Sequence, residues 1–140
     1  GPGDDALSGR PGGGDYLIGG PGNDNLATDD ACAGHTYDGA PGGADVAGFA
    51  QASEGAGVDA KLGGTAVRRG AGACSATKID GAEVLEGTRN ADILNGNGGA
   101  DLVVGREGND FVHGRAGRDE LRGDGGNDAC PDRSAIKISC

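Results

Sequence analysis

Between residues 87 and 128 an aspartate recurs every nine positions, at Asp92, Asp101, Asp110, Asp119 and Asp128. Each closes a six-residue loop that a glycine opens, at Gly87, Gly96, Gly105, Gly114 and Gly123. The units read GTRNADILN, GNGGADLVV, GREGNDFVH, GRAGRDELR and GDGGNDACP. Related units precede them: GPGDDALSG, the longer GRPGGGDYLI, GGPGNDNLA, and a loop from Gly39 to Asp45, with loop aspartates Asp5, Asp15, Asp24 and Asp45. Carboxylates supply hard oxygen donors, and glycine-rich turns let backbone carbonyls converge beside them, because glycine reaches positive φ without a steric penalty. Oxygen donors with no soft ligand in the repeat suit Ca²⁺ rather than zinc or copper. The expected donors are these nine aspartates, with the carbonyls of Gly96, Gly98, Gly105, Gly108, Gly114 and Gly117.

A fixed nine-residue period dictates the elements that must hold such donors. Six residues of loop leave three for a short strand, whose middle side chain points inward because strand side chains alternate faces. The inward residues are then Leu94, Val103, Val112, Leu121 and Cys130, preceded by Leu7, Leu17 and Leu26, with Tyr37 in an equivalent place. Two units complete one turn of a flattened coil with two parallel sheets. Residues eighteen apart stack at the inter-strand spacing of about 4.8 Å, so Asp92, Asp110 and Asp128 form one stack and Asp101 and Asp119 another. Two carboxylates about 5 Å apart repel by on the order of 3 kcal/mol at an effective dielectric of 20. A few such pairs match the whole stability of a small domain, about 5–15 kcal/mol, so several divalent ions are expected between them.

Loops alternate between two edges of the coil, A and B. Counting from the start puts loops 1–5, 19–24 and 39–45 on edge A, and loops 9–15 and the degenerate 28–36 on edge B. If residues 50–83 replace one edge-B loop, loop 87–92 falls on edge A, and Asp45 stacks on Asp92. The two irregular edge-B segments carry Cys32 and Cys74, which predicts a Cys32–Cys74 bridge. Within 46–86, Val46–Ala50 and Val58–Leu62 alternate like strands about a turn at 53–57, residues 63–78 read as loop, and Val84 and Leu85 re-enter the repeat. The strand-like stretch 135–138 is expected to cap the last rung, with Cys130 bridged to Cys140.

The composition agrees with a stapled fold. Aromatic residues make up 3% of the chain and glycines number 32, too little bulk for a conventional core, so metal or disulfides must help. A formal net charge of −10 argues against nucleic acid or an anionic membrane as a partner. No run of about 18 apolar residues marks a membrane-spanning helix. The chain has neither an initiating Met nor a signal peptide, which reads as a mature or excised chain. Four cysteines without a CxxC pair suit an oxidising compartment better than a zinc site. His35 and His113 are isolated and expected at the surface, and Arg106 and Arg115 are expected to pair with nearby carboxylates. No arrangement of Ser, His and Asp marks a catalytic triad, so the chain is not expected to be an enzyme.

The nonapeptide G-G-x-G-x-D-x-U-x, where U is a large apolar residue, resembles the RTX, or hemolysin-type calcium-binding, repeat family. The resemblance is specific over 87–128, interrupted over 1–45 and weak over 46–86. It implies an all-β, right-handed parallel β-roll, here with an inserted irregular or hairpin segment. The expected layout is a single domain over 1–140, with a first repeat block at 1–45, an insertion at 46–86, a second block at 87–130 and a cap at 131–140. It further implies a secreted bacterial module, expected to be a monomer, that folds where extracellular Ca²⁺ is abundant. The four cysteines and the disulfide-like cap depart from the family's one-step export route and are compatible with general secretion. A second reading makes the chain an adhesin-like or enzyme-appended interaction domain that meets a protein or surface partner through 46–86.

Overall fold

In the computed structural model, residues 1–52, 55–133 and 135–140 are described. The expected turn at 53–57 lies partly outside them, at Ser53 and Glu54. Fourteen short strands follow in order: β1 Ala6–Gly9, β2 Tyr16–Ile18, β3 Asn25–Thr28, β4 Thr36–Asp38, β5 Val46–Gly48, β6 Val58–Lys61 and β7 Thr65–Arg68. Then come β8 Thr77–Asp80, β9 Val84–Glu86, β10 Ile93–Asn95, β11 Leu102–Glu107, β12 Phe111–His113, β13 Glu120–Gly125 and β14 Ile136–Ile138. None of the described residues is helical.

The strands form two seven-stranded sheets and alternate between them except at β6–β8 and at β13–β14. Sheet 1 runs β1-β3-β5-β9-β11-β13-β14 and sheet 2 runs β2-β4-β8-β7-β6-β10-β12. Pairing is parallel everywhere except on the two sides of β7. The chain is therefore a parallel β-roll. Its register within the second block is the eighteen-residue one, with Leu94 opposite Val112 and Val103 opposite Leu121.

The middle residue of each rung faces the interior. Leu26, Tyr37, Ala47, Leu85, Leu94, Val103, Val112 and Leu121 are all buried, and Leu17 nearly so. Each buried Leu or Val contributes about 1.5–3 kcal/mol, so the core is a narrow stack of single side chains. Tyr37 fits by stacking on Phe49, with ring centroids 6.0 Å apart. Both disulfides join the expected partners, Cys32–Cys74 and Cys130–Cys140. The cap is also as expected: β14 adds a final parallel rung to β13.

Residues 63–78 depart from the expected loop. The Gly63–Gly64 turn, with Gly63 at φ 63° and the Gly64 amide bonded to the Lys61 carbonyl at 3.1 Å, reverses the chain into β7. Thr65–Arg68 then alternates, with Ala66 buried; its small, glycine-flanked side chains hid a strand behind a loop-like composition.

The insertion also shifts the parity of the loops. Strands β6 and β8 both belong to sheet 2, and β9 to sheet 1. The chain therefore crosses edge A once more, through the three-residue loop Gly81-Ala82-Glu83, before the second block begins. Loop 87–92 falls on edge B, not on edge A as the count from the sequence had it. The stacking of Asp45 on Asp92 is corrected accordingly.

Candidate metal centre

Three loops of the second block are shaped by backbone that a side chain resists. In loops 105–110, 114–119 and 123–128 the fourth residue is a glycine at φ 131°, 132° and 143°. The second residue, Arg106 or Arg115, also has positive φ, at 84° and 78°; for an L-residue that costs roughly 1–2 kcal/mol. Arg106 offsets part of this with a 2.9 Å ion pair to Glu86. Arg115 bonds the Asn95 side chain and, through its amide, Asp132. Thus Arg106 meets a carboxylate through its side chain and Arg115 through its backbone.

The loop acids form two columns. On edge A the Asp5 amide donates to Asp24 Oδ1 and the Asp24 amide to Asp45 Oδ1, both at 2.8 Å. The Asp45 amide donates to Glu83 Oε2 at 3.1 Å, and the Asp101 amide to Asp119 Oδ1 at 3.1 Å. On edge B the Asp92 amide donates to Asp110 Oδ1 and the Asp110 amide to Asp128 Oδ1, both at 2.9 Å. The Val58 amide closes this run on Asp92 Oδ1 at 2.6 Å. One carboxylate oxygen in each pair thereby locks the register.

The other oxygen is left over. Asp24, Asp45, Asp110, Asp119 and Asp128 each bury Oδ2 without a hydrogen-bond partner, and Asp101 buries Oδ1. A buried polar atom without a partner costs about 1–3 kcal/mol, more when charged. Oδ2 of Asp24, Asp45, Asp110, Asp119 and Asp128 occupies the hollow that the missing side chain of the loop's first glycine leaves. A Cβ on Gly105 would collide with Asp110 Oδ2 and approach the Gly123 carbonyl to 2.9 Å. A Cβ on Gly87 would meet Asp92 Oδ2, which here accepts the Thr88 amide at 2.7 Å, and, at 2.8 Å, the Gly105 carbonyl. A Cβ on Gly96 would lie 2.5 Å from both the Gly114 carbonyl and Asp101 Oδ2, which accepts the Asn97 amide at 2.7 Å. Carboxylate and carbonyl oxygens from successive turns thus converge where no side chain can fit.

Burial raises the Asp92 and Asp101 carboxyls above the usual range; at Asp101 the charges of Asp119 and Glu83 add to the rise. Asp110 is pushed up to about 6, chiefly by burial and then by its neighbours Asp92 and Asp128. A cation among these oxygens would reverse the penalty. Among the described residues no three His, Cys, Asp or Glu side chains cluster as a metal site. A cation here would need backbone oxygens to complete its shell, and the hollows present them.

The expected donors do not all share this arrangement. The carbonyls of Gly105 and Gly114 line hollows, that of Gly108 faces Gly126, and at Gly117 the facing carbonyl belongs to Gly99 rather than Gly98. Gly96 forms the floor of a hollow. Asp15 meets no second carboxylate: its amide donates to His35 Nδ1 at 3.2 Å and its Oδ2 accepts from the Arg10 amide. His35 is fully buried and is not the surface residue its isolation suggested. It takes the loop-end position, immediately before the strand that carries Tyr37. His113 is partly exposed, 3.4 Å from Asp132.

Glu83 escaped the sequence reading. Its loop is three residues long and lacks the glycine signature, so only its place just before β9 could have revealed it.

Comparison with known families bears on these columns. The family model described as "RTX calcium-binding nonapeptide repeat (4 copies)" matches residues 12–30, 79–112 and 96–130, together half of the chain. No curated protein matches it.

Proposed function

Because this chain belongs to the RTX calcium-binding nonapeptide repeat family, we propose that it is an extracellular structural module whose folding is coupled to Ca²⁺. Its two blocks and the insertion would fold as one unit. Asp92, Asp110 and Asp128 on edge B, and Asp24, Asp45, Asp101 and Asp119 on edge A, would supply carboxylate oxygens. The carbonyls of Gly105, Gly114 and Gly123 would supply others. Asp5, at the open end of its column, would contribute more weakly, and Asp15, which faces an imidazole, least.

The observation that carries this reading is the set of buried carboxylate oxygens without partners; Oδ2 of Asp45, Asp110 and Asp128 also converges with a carbonyl of the next turn, that of Gly81, Gly123 and Ser139 respectively. Ca²⁺ accepts six to eight such hard oxygens in flexible geometry, whereas Mg²⁺ demands a tighter octahedron. Two disulfides in so small a chain fit an oxidising setting outside the cytoplasm. The alternative role for 46–86 as a partner-contacting arm has less support, since β6, β7 and β8 are all hydrogen-bonded into sheet 2.

Circular dichroism with chelator and with millimolar Ca²⁺ tests the coupling. A mostly disordered chain should gain β signal on adding Ca²⁺, and Mg²⁺ should substitute poorly. Identical spectra in chelator and in Ca²⁺ would sink the proposal.

A further inference from the structure

The loops opened by glycine and closed by aspartate stop at Asp45 and resume at Gly87, yet the acidic column on edge A does not stop. Two backbone bonds put Glu83 in the register of a loop-end aspartate: the Val84 amide reaches the Asp45 carbonyl and the Leu102 amide the Glu83 carbonyl, both at 3.0 Å. The Asp101 carbonyl accepts from Glu120 in the same way in the next turn. The Glu83 amide itself turns back to the Asp45 carbonyl at 3.1 Å, where the Asp24 amide reaches the next carboxylate. The Glu83 carboxylate accepts the Asp45 amide through Oε2, as Asp45 accepts the Asp24 amide. Its extra methylene suits a loop of three residues rather than six, whose backbone has less reach.

Orphaned oxygens flank Glu83 on both sides. Asp45 is fully buried and its Oδ2 has no partner; Asp101 Oδ1 is likewise buried and unpartnered. Above Gly39 the hollow recurs, with Asp45 Oδ2 at 2.5 Å from a Cβ placed there and the Gly81 carbonyl closer still. The donor set matches that above Gly87 and Gly105, but it joins a loop of the first block to the truncated loop of the insertion. Sheet 1 passes through the same seam, where Val46, Ala47 and Gly48 pair with Val84, Leu85 and Glu86.

We propose that Asp45, Glu83 and the Gly81 carbonyl form an additional Ca²⁺ site, at a loop that lacks the six-residue glycine-to-aspartate pattern, that joins the two repeat blocks. The proposal rests on the calcium reading above and extends it to a loop closed by glutamate. Edge A then carries donors at every turn from Asp5 to Asp119. The ion would tie the folding of residues 1–48 to that of 84–130.

Equilibrium dialysis with ⁴⁵Ca²⁺ on the full chain, with circular dichroism on the same samples, provides the test. Glu83→Gln keeps the shape and removes the charge; Glu83→Lys brings its own positive charge to Asp45 and Asp101. Both variants should reach the wild-type β signal at saturating Ca²⁺ while binding one ion fewer per chain. Glu120→Gln, on sheet 1 but outside both columns, should bind the wild-type number. An unchanged ion count in either Glu83 variant overturns the site, and so does failure of both to fold at saturating Ca²⁺, because Glu83 would then be supporting the backbone rather than an ion. If the wild-type chain itself binds no Ca²⁺, the calcium reading falls, a result distinct from loss of this site alone.

Discussion

The two edges of the roll solve one problem with different chemistry. Edge A presents an acid at every turn from Asp5 through Glu83 to Asp119, with amide-to-carboxylate bonds running from Asp5 to Glu83 and again from Asp101 to Asp119. Edge B begins with Asp15, and its next loop offers the buried imidazole of His35. Its irregular segments are tied by Cys32–Cys74 before acids resume at Asp92. Where successive carboxylates would need a cation between them, the fold leaves hollows; where the carboxylates lapse, a covalent bond appears instead. A narrow core of single stacked side chains cannot hold its loops together alone. Each edge needs a fastener at nearly every turn, and either kind serves.

Breaking the covalent fastener should have the largest effect. Cys32–Cys74 closes a loop of sequence separation 42, for which chain entropy alone gives about 4 kcal/mol. The Cys32→Ser/Cys74→Ser variant should need much more Ca²⁺ to fold yet still reach the wild-type β signal at saturation. Loss of that signal at every Ca²⁺ level would show that edge-A ions cannot compensate for edge B.

Within the columns, position should decide the size of the effect. Asp110 lies between Asp92 and Asp128, so Asp110→Asn removes charge from two steps and should cost about 3 kcal/mol. Asp119 has a carboxylate neighbour on one side, Asp101, and Asp119→Asn should cost about half as much. Asp132 serves the cap, accepting the Arg115 amide at 2.7 Å; Asp132→Asn should cost about 1 kcal/mol or less. The calcium midpoints of folding should rank in that order. Equal midpoints for Asp110→Asn and Asp132→Asn would refute the eighteen-residue stack.

Acidity should act in the same direction as removing charge. The Asp110 carboxyl has a folded pKa of about 6, against about 3.9 when unfolded. The metal-free roll therefore holds its proton better than the unfolded chain does. The stability this proton lends is complete below the unfolded value and vanishes as pH rises through 6. Ca²⁺ must displace the proton from the folded roll, so its apparent affinity for chain that is already folded should rise about tenfold from pH 5 to pH 7 and then level off; the midpoint of folding from the unfolded chain, whose carboxyl is already ionised at pH 5, should change little. An affinity of the folded roll that does not change across that range would contradict it.

The second block was legible in the sequence because its period admits one register. Leu94, Val103, Val112 and Leu121 are inward as the spacing required, and the eighteen-residue stacks follow from the same spacing. Both disulfides were legible too, Cys32–Cys74 from edge counting through turns that the parity shift leaves untouched. Between Asp45 and Gly87 the reading failed for physical reasons. Loop 81–83 closes an edge in three residues, using Glu for Asp, so no glycine signature announced it. Strand β7 is held by a hairpin turn and one buried alanine, and propensity sees little in either. His35 showed no carboxylate where one was sought, although its backbone neighbours keep the column's register. The family match omits 31–78, where His35 and β7 lie, but spans 79–130 and so includes loop 81–83.

The antiparallel strand β7 also has a mechanical consequence. From β3 to β9, sheet 1 advances two steps through β5; from β4 to β10, sheet 2 advances four, through β8, β7 and β6. At about 4.8 Å per step, one face is longer than the other by about 10 Å. A rod with unequal faces should bow toward the shorter one, with the insertion as the wedge. Removing β7 alone would leave three steps against two and so only halve the difference.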